Sequence, residues 1–400
     1  MSSASISKNN LSNTIIGVVG GGQLAQMLAE AAMQRNVEII VQAESRDAPA
    51  ASKATRLVLA ETQDAFATGQ LVRDCSSVTF ENEWVNIDAL AEFENHQGSF
   101  VPSLVALEPL INKISQRQLL DDLCIPSPEW IPLCSNQLGP SKLPNGWTFP
   151  LMAKSGRGGY DGKGTKVLKN FEDLSQLLNS VDLNEWLIEA WVPYEKELAL
   201  VASRDTNGRV RTFPLAETNQ FEQVCNWVIA PAEVSHSVQA MAYNIAASLL
   251  TELNYQGVIA IEFFYGPNGL LVNEVAPRTH NSAHFSIEAC NSSQFDQQLC
   301  ITAGLAVPDP ELIVPGALMV NLLGLPEEAC LPLADRLLAL KRIEGAHLHW
   351  YEKDSEILGR KLGHITLLLY GDDARTRKEE ARLGLERILS IWPLNVTASV

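Results

Sequence analysis

The sequence predicts an α/β and α+β protein of more than one domain: an N-terminal doubly wound parallel-sheet domain, a strand-dominated middle and a small C-terminal domain. Three observations carry this. A strand, glycine turn, helix and strand open the chain at Thr14; similar alternation runs to about residue 110; and beyond Pro150 strand-like runs divided by turn signals take over. A length of 400 residues fits two or three cores better than one. Hydrophobic residues at 46% and charged residues at 19% are ordinary for a globular chain. The net charge of −17 argues against nucleic-acid and anionic-membrane partners, which need a basic face, but leaves room for small anionic substrates at local cations. No run of about 18 apolar residues is present. The seven cysteines contain no C-x-x-C pair, so reduced, mostly buried thiols are expected. Residues 1–13 are polar and Ser/Asn-rich, read as a disordered tail without a signal-peptide stretch, and the expected compartment is the cytoplasm.

The elements follow in order. Thr14–Gly20 is an apolar β-branched run, Gln23–Gln34 has helical periodicity, and Val37–Gln42 is strand-like again. Gly20, Gly22 and Ala25 fit G-x-G-x-x-G/A, with Glu44 where a ribose-binding carboxylate would stand. The turn suits a dinucleotide or some other phosphate. Ala54–Leu59 and Ser77–Phe80 continue the parallel sheet. "SQRQLLDDLCIPSPEW" reads as a helix ended by a Pro-rich connection, a candidate boundary. Strands then dominate to about Asp309, with one clear helix at Ser235–Leu253. After the Pro-rich Ala306–Pro315 come His364–Tyr370, strand-like, and an amphipathic helix, Arg375–Ile391.

Two stretches carry chemistry. "KSGRGGYDGKGT" (154–165) holds five glycines in twelve residues between strand-like runs, with Lys154, Arg157, Lys163 and nearby Lys166. Glycines let backbone N–H groups approach a phosphate that a Cβ would keep away, so this reads as a hairpin lid over a nucleotide's phosphates. It is not a Walker A loop. In "GVIAIEFFYGPNGLLVNEVAPRTHNSAH", Glu262 and Glu274 stand six residues either side of Asn268, so a turn centred there puts them face to face across an antiparallel pair. Two such carboxylates repel unless a cation joins them, and Mg²⁺ carrying ATP is the natural one. Arg278, His280, Asn281 and His284 follow closely; zinc is the lesser reading of this group, behind anion contacts beside Mg²⁺. In "EWLIEAWVPYEKELALVASR", the backbone of Ala190–Val192 suits an adenine edge and Glu197 suits ribose hydroxyls, although strand–turn–strand patterns are common.

Taken together, Lys154, the glycine loop, "EAWV" with Glu197, and the Glu262/Glu274 pair resemble the ATP-grasp superfamily of carboxylate–amine ligases. Within it, "KSGRGGYDGKG", "PLAETNQ", "NEVAPRTHNSAH" and "HLHWYEKDSEILGRKLGHIT" resemble the 5-(carboxyamino)imidazole ribonucleotide synthetase family of purine biosynthesis, from about Thr14 to Tyr370. The resemblance implies a pre-ATP-grasp Rossmann-like domain at 14–112, an ATP-grasp core of two lobes at 113–310 and a C-terminal domain at 311–400. It implies that Lys113 and Lys154 contact ATP phosphates under a lid of Gly159, Tyr160, Asp161, Gly162, Lys163, Gly164 and Thr165. Glu189, Ala190, Trp191 and Val192 would meet adenine, Glu197 the ribose, with Gln220 and Asn273 near the nucleotide and Mg²⁺ or Mn²⁺ on Glu262 and Glu274. Gln220 stands where many members have His. The ribonucleotide phosphate would meet Lys353, Arg360 and Lys361, and the rest of that substrate Gln23, Leu24, Glu83 (chosen over Glu81), Tyr160, Asp161 and Asn281.

The activity implied is carboxylation of the exocyclic amine of aminoimidazole ribonucleotide with ATP and bicarbonate, through carboxyphosphate and without biotin. Arg278 would contact bicarbonate or carboxyphosphate, Asp161 would take the amine's proton, and Asn281 would complete the catalytic set. A homodimer is also implied. The competing readings are a formate-dependent glycinamide ribonucleotide transformylase or related ATP-grasp ligase, a Rossmann dehydrogenase, and an ATP-binding regulatory module without chemistry. The tail from His347 to Thr366 decides among the ligases.

Overall fold

The computed structural model describes residues 14–94, 99–159, 164–221, 223–326, 331–353 and 355–393, so the 1–13 tail lies outside the described residues. Strands β1 (Ile15–Val19), β2 (Glu38–Ala43), β3 (Arg56–Leu59), β4 (Ser77–Phe80) and β5 (Ser99–Phe100) form a parallel sheet ordered β3-β2-β1-β4-β5. This is the doubly wound arrangement expected, and its strand order reverses between β1 and β4, where such sheets open a crevice at their carboxyl ends. Ile16, Val18, Val19 and Val78 are wholly buried, as a sheet covered on both faces requires. The helix Gln23–Gln34 follows β1 directly through the glycine turn.

Four strands, β6 (Trp130–Pro132), β7 (Leu151–Ser155), β8 (Thr165–Leu168) and β9 (Trp186–Ala190), form an antiparallel sheet ordered β6-β9-β7-β8. The glycine loop joins β7 to β8, with Lys154 opposite Thr165. Its tip, Tyr160, Asp161, Gly162 and Lys163, lies outside the described residues.

The third sheet has nine strands: β10 (Lys196–Arg204), β11 (Val210–Thr212), β12 (Ala216–Phe221), β13 (Val224–Ala230), β14 (Gly257–Gly266), β15 (Gly269–Ala276), β16 (Gly316–Leu323), β17 (Ala346–Trp350) and β18 (Lys361–Leu369). Its order is β15-β14-β10-β12-β13-β16-β18-β17, with β11 on β10. The C-terminal strands therefore continue the sheet that begins at β15. The helix His236–Glu252, capped by the Ser235 hydroxyl accepting from the Val238 N–H, buries Ala242, Ile245, Ala246 and Leu249 against this sheet. The helix Ala374–Ile391 covers the far end through Ala381, Gly384 and Ile388.

The helix read from Ser115 starts at Lys113 instead, because the Asn112 side chain accepts from the Ile114 N–H at 2.8 Å and caps it. The helix Gln294–Thr302 joins the first domain to the large sheet: Phe295 and Leu299 share a core with Ile16, Val18 and Leu28, and Arg35 pairs with Asp296 at 2.8 Å. Six cysteines are described, none of them in a disulfide, with Cys75, Cys225, Cys290 and Cys300 buried. Among the described residues no helix is long and apolar enough to cross a membrane.

Candidate active site

Glu262 on β14 and Glu274 on β15 are register partners, but not through the turn the sequence suggested. Gly266 pairs with Gly269, which leaves a two-residue turn, and a regular ladder from it would put Asn273 opposite Glu262. A β-bulge beside Phe263 takes up one extra residue and brings Glu274 opposite Glu262. Burial, then the charges of Glu274 and Glu197, push the Glu262 carboxyl up to about 7, against the pull of Lys113 and Lys361. Burial acts the same way on Glu274, but the Lys113 ammonium, 2.5 Å from its Oε1, outweighs it and holds that carboxyl below its ordinary range.

Lys154 is 7% exposed; its Nζ donates to the Asn273 Oδ1 at 3.0 Å and pairs with Glu189 Oε2 at 2.8 Å. Burial and the nearby Arg117 and Lys113 charges lower its pKa, with Glu189 opposing them. Glu189, expected to face adenine, brings only its backbone to that hinge. Its carboxylate is buried and held by Lys154 and Arg117, whose charges outweigh desolvation and keep it ionised. The Ala190 N–H donates to the Glu129 carbonyl, while Trp191 is 45% exposed beyond it and Val192 half-buried. Glu197 shares the Glu262 face of the sheet, two residues from Ala199, the residue opposite Glu262. Tyr194 Oη donates to its Oε1 at 2.7 Å, the Gln220 side chain bonds it too, and burial raises its pKa. The Tyr194 ring stacks on Phe264 with centroids 4.6 Å apart. Gly159 borders a cleft with Lys113, Gly156, Gly158, Glu274 and Glu83.

His280 Nε2 lies 3.5 Å from Glu262 Oε1. Its Nδ1 lies 2.9 Å from the Ser282 hydroxyl and accepts from the Ser282 N–H at 3.3 Å. Burial, then Arg278 and Lys361, keep this imidazole neutral. Among the described residues no group of three or more His, Cys, Asp and Glu is arranged to hold a metal ion. The zinc reading finds no support in this arrangement.

The other half of the site joins the first domain to the tail. Gln23 Oε1 accepts from Lys353 Nζ at 3.0 Å, and the same ammonium donates to the Lys361 carbonyl at 2.7 Å. The charge of Lys361 reaches both Glu262 and His280, so the tail borders the carboxylate pair. Arg360 is exposed. Arg278, expected to face bicarbonate, forks onto Glu83 at 2.7 and 3.4 Å. Asn281 is 8% exposed and trades amide hydrogen bonds with Asn321 at 2.9 and 2.6 Å.

At Leu24 the main chain already has a partner. The N–H groups of Gly22, Leu24 and Ala25 all point at the carboxylate of Glu81, at 2.6, 3.1 and 3.4 Å. A Cβ on Gly22 would come within 2.4 Å of Glu81 Oε1. The helix N-terminus that invited a phosphate is thus closed by the chain's own anion, so the Leu24 amide is engaged and any substrate contact falls to its other atoms. Sequence reading also passed over Gln116, Arg117 and Asn321. The first two had a signal: Lys113, Gln116 and Arg117 lie at i, i+3 and i+4, a polar stripe on one helix face.

Residues 118–295 match the ATP-grasp domain family, residues 13–109 the ribonucleotide synthetase preATP-grasp domain, and residues 317–379 the phosphoribosylaminoimidazole carboxylase C-terminal domain. Fold and family match thus define an ATP-grasp protein. The chain is 43% identical over 383 residues to N5-carboxyaminoimidazole ribonucleotide synthase of Synechococcus elongatus, covering 96% of each chain. It belongs to the N5-carboxyaminoimidazole ribonucleotide synthase family. Among solved structures, carboxyaminoimidazole ribonucleotide synthase from Aspergillus clavatus complexed with ATP is similar at a TM-score of 0.85, with 29% identity over 95% of this chain and 98% of that one. The Aspergillus clavatus enzyme in complex with ADP and 5-aminoimidazole ribonucleotide is similar at 0.83, with 28% identity over 95% and 99%.

Proposed function

We infer that the protein is an ATP-dependent carbon–nitrogen ligase of purine biosynthesis. It carboxylates the exocyclic amine of 5-aminoimidazole ribonucleotide with bicarbonate, giving N5-carboxyaminoimidazole ribonucleotide, ADP and phosphate. The observation that carries this is the end-to-end likeness, which includes the tail segment bearing Lys353, Arg360 and Lys361 as well as the nucleotide cradle.

A bicarbonate oxygen attacks the γ-phosphorus of ATP, the bond to the bridging oxygen breaks, and ADP leaves as carboxyphosphate forms. The amine nitrogen then attacks the carboxyl carbon, the bond to the phosphate oxygen breaks, and the nitrogen gives up its proton. The nucleophile is the substrate's own amine, so no biotin is needed. Lys113 and Lys154 neutralise charge on the phosphates, and Asn273 orients the Lys154 ammonium. Glu197 with Tyr194 and Gln220 holds the ribose, and the 189–192 hinge holds adenine. Glu262 and Glu274 suit a hard cation, because each is a carboxylate whose charge the other opposes until one joins them. Mg²⁺ held there, or Mn²⁺ in its place, would supply further charge neutralisation to the transferring phosphoryl group. Gln23 and Lys353 mark the ribonucleotide's seat, with Arg360 and Lys361 meeting its phosphate. Arg278 exchanges Glu83 for bicarbonate or carboxyphosphate, Asn281 stays fixed by Asn321, and Asp161 takes the amine's proton as the lid excludes water that would hydrolyse the intermediate. The protein works as a cytoplasmic homodimer on small molecules alone; sedimentation equilibrium reads the subunit count.

The deciding experiment measures ADP release with Mg-ATP, bicarbonate and aminoimidazole ribonucleotide, omitting each in turn. Release is expected only from the complete mixture. Silence there, with release on glycinamide ribonucleotide and formate, would overturn the substrate assignment.

A further inference from the structure

Strand β15, which carries Asn273 and Glu274, is an edge of the large sheet, with β14 on one side and no strand of the described residues on the other. An edge strand leaves a row of main-chain N–H and C=O groups without strand partners. Here the first turn of the helix Lys113–Asp122 meets that row with side chains. Gln116 Nε2 donates to the Val275 carbonyl at 2.8 Å and its Oε1 accepts from the Val275 N–H at 2.8 Å, the two bonds a neighbouring strand would make. Arg117 Nη1 donates to the Val272 carbonyl at 3.2 Å and Nη2 to the Asn273 carbonyl at 2.6 Å. Lys113 takes the Glu274 carboxylate. These grips fall on Val272 to Val275, the residues that contain the bulge and bring Glu274 opposite Glu262.

Arg117 also reaches the other sheet. Its Nε donates to Glu189 Oε1 at 2.7 Å, Glu189 Oε2 pairs with Lys154 at 2.8 Å, and Lys154 returns to the Asn273 side chain at 3.0 Å. The circuit is closed and buried: Arg117 and Glu189 are each 2% exposed. Only a planar fork serves two carbonyls and a carboxylate at once; a lysine ammonium at the same place has no such geometry.

We propose that Gln116 and Arg117 are positioning residues for the nucleotide–metal site: they fix the Asn273 bulge so that Glu262 and Glu274 face one cation, and Arg117, through Glu189, aims Lys154 at the phosphates. This rests on the reading of the carboxylate pair as a Mg²⁺–ATP site. Both act through other groups: the Gln116 amide is taken up by the Val275 main chain, and the Arg117 guanidinium by Val272, Asn273 and Glu189. Holding the bulge from the helix also couples the small sheet to the metal strand, so phosphate and metal contacts are set together.

The test uses the full-length protein with Arg117→Lys and Gln116→Met. Mn²⁺ affinity is measured by electron paramagnetic resonance with a non-hydrolysable ATP analogue, beside calorimetric binding of aminoimidazole ribonucleotide and near-ultraviolet circular dichroism. Both variants are expected to keep the native dichroism and the ribonucleotide affinity while Mn²⁺ affinity falls about 10–100-fold, the range for residues that orient metal ligands. Unchanged Mn²⁺ affinity in a folded variant, or equal loss of metal and ribonucleotide binding, overturns the proposal. If Arg117→Lys does not fold, Gln116→Met decides. A wild-type protein that binds Mn²⁺ and nucleotide but never carboxylates the ribonucleotide fails the functional reading alone. One that binds no Mn²⁺ fails both.

Discussion

Glu262 has a carboxyl group raised to about 7 beside Glu274, whose own carboxyl is held low by Lys113. A metal needs the carboxylate and competes with the proton. Mn²⁺ affinity in the presence of the ATP analogue is therefore expected to be level above pH 7 and to fall below it, approaching about tenfold per pH unit. A flat titration from pH 5.5 to 8.5 would count against the pair as ligands. The same shift has a stability sign: the folded pKa exceeds the ordinary 4.5, so this group's contribution is complete below that value and is lost as pH rises through about 7. Metal-free protein should accordingly gain most thermal stability from Mg²⁺ above pH 7. At the tail, Arg360→Ala is expected to raise the KM for the ribonucleotide by about 10- to 100-fold, the loss of a hydrogen-bonded charge, with little change in that for ATP. Steady-state kinetics that move both constants together would show that Arg360 serves another purpose. The carboxylate pair was legible to within one residue, because a turn signal between two strand-like runs brings Glu262 and Glu274 close and a bulge supplies the last step. The roles of Glu189 and Arg117 were not, because a single charged residue in an apolar strand or a helix does not name its partner 72 positions away.

At the level of the element, the glycine turn after β1 shows where sequence pattern stops. G-x-G-x-x-A predicted the strand, the tight turn and the helix, and all three are present. The same pattern says nothing of what fills the helix N-terminus, because that group, Glu81, arrives just after β4. Glu81→Leu leaves three partly buried N–H groups without their acceptor and is expected to lower stability by about 1–3 kcal/mol, read as a drop in the thermal midpoint. An unchanged midpoint would mean that water replaces the carboxylate at no cost. The β14–β15 hairpin teaches a related lesson. Its register was readable to within one residue, and the bulge that corrects that residue depends on contacts from a helix more than 150 positions earlier.

At the scale of the molecule, the large sheet runs without a break from β15 to β17, and the tail strands sit beside β13 rather than in a separate layer. Trp227 and Ile229 of β13 pack into the core formed by β16, β18 and the last helix. A chain ending at residue 310 would bare that core and a long strand edge, and is expected to aggregate rather than fold as a smaller enzyme. Soluble, nucleotide-binding protein from that truncation would contradict the expectation. Strand-like tail segments were visible in the sequence, but which sheet they would join was not, because that choice depends on an edge contributed by other strands. The Gln23–Lys353 contact spans 330 positions of a single chain. During synthesis, the glycine hairpin and the carboxylate strands leave the ribosome well before Lys353 does. The order of translation therefore leaves the Gln23–Lys353 contact to close last, after both hairpins have emerged.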